Sequence, residues 1–123
     1  MNYKELADLL YPDVTMTIED LEKKYPKRNL DENAIVGRFA PSPTGRMHMG
    51  NLFAAFIPET FAHQSNGVYL LRIEDTDLKR TIEDGTRHIL EDFNEFNLVV
   101  DEDPINGGAY GPYRQRERID IYH

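Results

Sequence analysis

The chain has 123 residues, 40% of them hydrophobic, a formal net charge of −8 and no cysteine. That length holds one modest core, too small for a two-half Rossmann domain, and the missing cysteines exclude disulfides and thiolate zinc sites. No apolar run is long enough for a membrane span or a secretory leader, so a cytoplasmic chain without a membrane partner is expected.

In chain order, Leu6, Leu9, Leu10 and Tyr11 have the spacing of a short amphipathic helix that stops before Pro12. Thr17-Ile-Glu-Asp20 carries the cap pattern of a second helix that stops before Pro26. Residues 1–33 are therefore expected to form a helical extension, packed on the rest of the chain or offered to a partner. Residues 34–40 are a run of β-formers cut off by Pro41 and Pro43, which cannot donate to a ladder, so a strand should end near Ala40. Beyond the loop, Leu52, Phe53, Phe56 and Ile57 predict a helix from about Met49 or Gly50 with this face against the strand. Pro58 should free a carbonyl near Ala54 and kink or shorten that helix.

The first N–H groups of the helix point into the loop and suit an anion, and Gly50 leaves room for a flat ring on the backbone. His48 stands beside them as a donor for phosphate oxygen. Residues 67–73 read as a strand covered on both faces that ends in Glu74-Asp-Thr-Asp77. Strand, helix and strand make a parallel βαβ unit, which puts Arg38 and Glu74 at the carboxyl ends of neighbouring strands, where open α/β sheets bind ligands. A cation and an anion there suit the carboxylate and ammonium of an amino acid. Thr81-Ile-Glu-Asp84 reads as the N-cap of a helix with Ile82, Ile89, Leu90, Phe93 and Phe96 as its buried stripe. Leu98-Val-Val100 reads as a third strand, residues 101–111 as a loop, and residues 114–123 as the start of another helix.

Three segments carry a resemblance: RFAPSPTGRMHMGN (38–51), LRIEDTDLKR (71–80) and GPYRQRER (111–118). Together they resemble the amino-terminal catalytic half of a class I aminoacyl-tRNA synthetase of the bacterial glutamyl type, with His48-Met-Gly-Asn51 similar to the signature written HIGH. The acidic string from Arg72 to Asp77 favours the glutamyl over the glutaminyl relative. The resemblance spans residues 34–123 and implies an α/β fold, the first βαβαβ half of a Rossmann-like (HUP-type) nucleotide-binding domain, with residues 1–33 as an added extension. It implies glutamate contacts at Arg38, Ala40, Ser42 and Glu74, with Arg38 on the side-chain carboxylate and Glu74 on the ammonium. ATP would meet Thr44, His48, Gly50 and Asn51, with His48 and Asn51 catalytic. The implied reaction attaches glutamate to tRNA(Glu) through glutamyl-adenylate. The implied partners are tRNA(Glu), L-glutamate and ATP; magnesium travels with the ATP, and no zinc or other protein-held metal is expected. The full-length enzyme would be a monomer. The family's lysine-containing KMSKS loop has no counterpart here, so the chain is expected to be a fragment, incompetent alone.

Each residue also has a plainer reading. Arg38 can pair with a nearby acid, Ser42 and Thr44 can cap the loop and helix start, and Glu74, Asp75 and Asp77 can form a solvated turn or an Asp-x-Asp metal pair. Arg114, Arg116 and Arg118 face nucleic acid or solvent, and His63 and His88 carry no assigned function. Charge is uneven: five basic against eight acidic residues in 1–33, five against four in 34–80, and four against ten in 81–123. With no basic stripe, tRNA affinity is expected to come largely from outside this sequence. A ligase that glutamylates a tRNA base, or a nucleotide-binding module without catalysis, are the competing functional readings.

Overall fold

The computed structural model describes residues 2–77, 79–81 and 84–122. Its elements are α1 (Tyr3–Leu10), α2 (Ile18–Lys24), β1 (Val36–Phe39), α3 (Met49–Gln64), β2 (Val68–Leu71) and α4 (Gly85–Glu95), then a 3-10 turn over Gln115–Arg118 that runs into α5 (Ile119–Tyr122). β1 and β2 pair in parallel, with Val36 opposite Val68 and Phe39 opposite Leu71, and α3 packs across both strands. Tyr69, Leu71, Ile73, Ile89 and Phe93 are almost fully buried between the sheet, α3 and α4.

The face that α3 turns to the sheet differs from the expected one. Leu52 is buried, but the other buried positions are Ala55 and Ala62, whereas Phe53 is 67% exposed and Phe56 and Ile57 also face outward. Small residues are needed because strand and helix approach closely: a Cβ on Gly37 would lie 2.6 Å from the Pro58 carbonyl oxygen. Pro58 does not shorten α3, which runs through it. The Tyr69 hydroxyl donates to the Ala55 carbonyl at 3.0 Å, so a side chain from β2 supplies a donor where the proline removes one nearby.

Two further expectations are corrected. Thr81 is not the cap of α4; its hydroxyl donates to the Asp77 carbonyl at 2.9 Å, and the helix starts after Asp84, which is left-handed at φ 63°. Ile82 of the expected stripe lies outside the described residues, and Phe96 ends the helix 54% exposed. The expected third strand at 98–100 is absent because Asn97 turns left-handed (φ 55°) and the Leu98 N–H returns to the Phe93 carbonyl at 2.9 Å, closing a Schellman motif with Leu98 in the core. The place beside β2 is taken by later residues: Glu102 bridges Leu70 and Arg114 bridges Ile73, both parallel. The expected final helix is the 3-10 turn with a short α5.

α1 and α2 carry the expected stops and complete capping boxes, Asn2 with Glu5 and Thr17 with Asp20, yet neither helix buries a residue. Residues 1–33 attach instead through the segment after α2. Arg28 forms a two-pronged ion pair with Glu102, whose second prong is 2.7 Å, and lies over the Tyr110 ring at 3.8 Å. Glu102 is buried and also accepts from the Tyr113 hydroxyl at 2.7 Å, while Tyr25 and Tyr110 donate to the Gly111 and Pro26 carbonyls. Burial and the neighbouring Glu102 carboxylate push the Tyr113 hydroxyl up to about 12.

His63 closes the far end of α3. Its Nδ1 lies 3.0 Å from Glu59 and its Nε2 2.9 Å from Asp101, which also accepts from the Tyr69 N–H at 2.7 Å. The Asp101 bond, then the Glu59 bond, hold the imidazole pKa above its ordinary value against the effect of burial. A folded pKa above the unfolded one contributes stability that is full below the unfolded value and is lost as pH rises through the folded one. We therefore expect the melting temperature of the wild-type chain to fall relative to His63→Gln as pH is raised above about 6.5. Parallel melting curves of the two from pH 6 to 9 would contradict this.

Candidate functional site

The loop between β1 and α3 is built from its prolines outward. Pro43 is buried against Gly85, where an added Cβ would meet the Pro43 carbonyl oxygen at 2.6 Å, and the Thr44 N–H turns back to the Ser42 carbonyl at 2.9 Å. The Asp92 carboxylate, itself buried on α4, accepts from Arg46 Nη1 at 2.7 Å and from the Met47 N–H at 2.9 Å. Met47 packs against the core beside it.

His48 is the N-cap of α3. Its Nδ1 accepts the Gly50 N–H at 3.1 Å, and Asn51 Oδ1 accepts the His48 N–H at 3.3 Å, a reciprocal box that fixes both side chains. The capping role open to Ser42 and Thr44 thus belongs to His48 and Asn51. In the neutral imidazole an accepting Nδ1 leaves the proton on Nε2. Gly50 does not line the cleft beside it; a Cβ there would stand 3.1 Å from the His48 ring, so its missing side chain admits the imidazole.

A cleft of about 450 Å³ opens over this loop, and Ala40, Ser42, Thr44, His48 and Asn51 all line it. Arg46 and Arg80 line it as well, two cations with no role expected from the sequence. Arg46 sits inside the first motif segment, so the signal was present; its fixed position becomes visible only through Asp92. Arg80 is held by Asp77 at 2.7 Å, a contact that keeps the Asp77 carboxyl below its ordinary range.

Arg38 and Glu74 stand next to each other at the carboxyl ends of β1 and β2, outside the lining of that cleft. Arg38 Nη1 is 3.8 Å from Glu74 Oε1, and Arg72 Nη2 is 3.7 Å from the same oxygen, contacts longer than hydrogen bonds. The Glu74 N–H donates to the Pro41 carbonyl at 2.9 Å, which ties its backbone to the start of the loop. Asp75 is buried and accepts the Arg116 N–H at 3.1 Å, whereas Asp77 is exposed and holds Arg80. Of the three arginines of the last motif, Arg114 donates to Thr86 and Arg118 to the Pro112 carbonyl, while Arg116 is exposed and lines a second cleft together with Arg114.

Residues 34–123 match the family described as tRNA synthetases class I (E and Q), catalytic domain. The chain is 52% identical over 126 aligned residues to a glutamate–tRNA ligase of Acetivibrio thermocellus and 47% identical over 127 to one of Clostridium perfringens, covering 99% of this chain and 23% of each relative. A crystal structure of a glutamate tRNA ligase from Elizabethkingia meningosepticum, in complex with its amino acid, superimposes with a TM-score of 0.68 at 46% identity, over 74% of this chain and 18% of that one. The chain thus spans about a quarter of the length of the curated relatives it matches. With the parallel strands, the crossover helix and the capped loop of the first motif, these likenesses place the chain in the catalytic-domain family of class I (E and Q) tRNA synthetases.

Proposed function

We propose that this chain is the part of a glutamate–tRNA ligase that binds glutamate and ATP and makes glutamyl-adenylate for transfer to tRNA(Glu). The observation that carries the reading is the convergence of Ala40, Ser42, Thr44, His48 and Asn51 on one cleft beside the Arg38–Glu74 pair. Residues 34–123 would form the first half of the nucleotide-binding domain and residues 1–33 its extension.

In this reading Arg38 takes the side-chain carboxylate of glutamate and Glu74 its ammonium, which requires the two side chains to exchange their long mutual contact for the substrate. An α-carboxylate oxygen of glutamate then attacks the α-phosphorus of ATP, the bond to the bridging oxygen breaks and pyrophosphate leaves. His48 donates from Nε2 to a phosphate oxygen as charge develops, from a ring already fixed by the Gly50 N–H. Asn51 serves by holding His48, while Ser42, Thr44 and the Ala40 backbone shape the cleft. A ribose hydroxyl of tRNA(Glu) next attacks the glutamyl carbonyl and AMP leaves. No covalent enzyme intermediate is needed, so the protein contributes position and electrostatics. Magnesium would arrive on the nucleotide; the described residues assemble no set of three acidic or histidine ligands for it.

The test is glutamate-dependent exchange of pyrophosphate into ATP, with and without tRNA, by this chain and by a full-length ligase that carries it. Exchange by the full-length protein alone is the expected result. Absence of exchange from both would overturn the proposal.

A further inference from the structure

The loop that carries His48 is held from behind by a helix that the chemistry does not otherwise use. Among the described residues, every hydrogen bond that leaves Ser42–Met47 for another element ends on Asp92: Arg46 Nη1 at 2.7 Å on one carboxylate oxygen and the Met47 N–H at 2.9 Å on the other. Arg46 also reaches Glu91 at 3.2 Å. One residue further along, His48 begins its cap. The second hold is steric, Pro43 against Gly85. Gly85 and Asp92 are seven residues apart, about two helical turns, so they lie on one face of α4 and grip the loop near both ends.

We propose that Asp92 is a positioning residue for the nucleotide site: it sets the loop so that His48 and the cleft-lining side chains keep their geometry before ATP arrives. The inference rests on the proposed function for what the loop binds, and on the structure alone for what holds it. Asp92 itself is buried, at 7% exposure. Burial pushes the Asp92 carboxyl up, and the Met47 N–H and Arg46 together outweigh this, so it titrates below the usual range. A buried anion with two donors from one loop is a fixed anchor, because losing either donor leaves part of its charge uncompensated.

The test compares Asp92→Ala, Asp92→Asn and the neighbouring control Glu91→Ala by amide hydrogen exchange of the chain and by ATP titration of a full-length ligase that carries it. In Asp92→Ala the Met47, His48 and Gly50 amides should lose about tenfold or more of their protection, and ATP should bind about tenfold or more weakly. Asp92→Asn retains an acceptor for Met47 and should recover part of both, and Glu91→Ala, which removes only the exposed partner of Arg46 and leaves both donors on Asp92, should change both by less than about twofold. Full protection of the three amides in Asp92→Ala overturns the proposal whatever ATP does. If they are lost while a full-length ligase that carries the wild-type chain binds no ATP, the anchor stands and the proposed function falls. Should Asp92→Ala unfold, Asp92→Asn decides: wild-type protection together with wild-type ATP affinity would overturn the anchor.

Discussion

Replacing Arg28 by alanine is expected to cost about 3 kcal/mol, the penalty for leaving a buried carboxylate without its cation, or roughly a 10 °C fall in melting temperature for a domain of this size. Arg28 and Glu102 are both largely buried, with side chains 17% and 11% exposed, so solvent screens the pair little. Once the guanidinium is gone, Glu102 retains, among the described residues, the Tyr113 hydroxyl as its side-chain donor, and Tyr110 loses the cation over its ring. The pair holds the Glu102 carboxyl below its ordinary value, chiefly through the Arg28 bond. A lowered folded pKa gives stability that is full above the unfolded value, about 4.5, and is lost as pH falls through the folded one. Urea melts at pH 7 and pH 3 should therefore show a wide gap between wild type and Arg28→Ala at the higher pH and a narrow one at the lower. The double variant Arg28→Ala with Glu102→Gln should regain stability, since it removes the stranded charge. A single variant as stable as wild type at pH 7 would contradict this account of how the segment after α2 is fastened.

Arg38→Ala in a full-length ligase is expected to lower kcat/KM for glutamate by roughly 30- to 150-fold, the effect of about 2 to 3 kcal/mol for truncating one side of a hydrogen-bonded charge pair. ATP binding should change little, because Arg38 stands outside the cleft that His48 and Asn51 line. Stability should also change little: Arg38 is 44% exposed, and its contact to Glu74 is 3.8 Å. The useful comparison is with Glu74→Gln. Both should raise the KM for glutamate, but only Arg38→Ala should relax selection for the side-chain carboxylate, seen as improved relative use of glutamine. Glutamate-dependent exchange at the wild-type rate in Arg38→Ala would remove that residue from the site.

What the sequence revealed was mostly local. Pro41, Pro43 and the apolar runs ended the strands where the structure ends them within a few residues, and the residues around His48 marked a turn whose chemistry depends on neighbours in sequence. The failures have a common origin in competition between local signals and distant partners. Thr81 has cap chemistry, but its hydroxyl is taken by Asp77, and the start of α4 is set where Gly85 meets Pro43. Leu98-Val-Val100 has strand composition, but Asn97 turns the chain so that Leu98 finishes a helix. Phe53 and Phe56 gave the helical period correctly and its facing incorrectly, because the sheet admits alanine there. Arg28 with Glu102, 74 residues apart, and Arg46 with Asp92, 46 apart, carry no signal that one sequence can display.

The contact between Gly37 and Pro58 makes α3 a lever. Its fulcrum is the carbonyl of Pro58 resting on a strand position that has no methyl group. Its tip is His48, ten residues away and about 15 Å along the axis. A methyl group added at the fulcrum would have to displace backbone by several tenths of an ångström, since the oxygen it meets at 2.6 Å is not on a side chain that can swing aside. Rotation about that point would reach the tip enlarged, and a site that works by preset geometry loses rate steeply with displacement. A methyl group at Gly37 is therefore expected to displace the imidazole from beneath the middle of the helix, at a strand position outside the cleft.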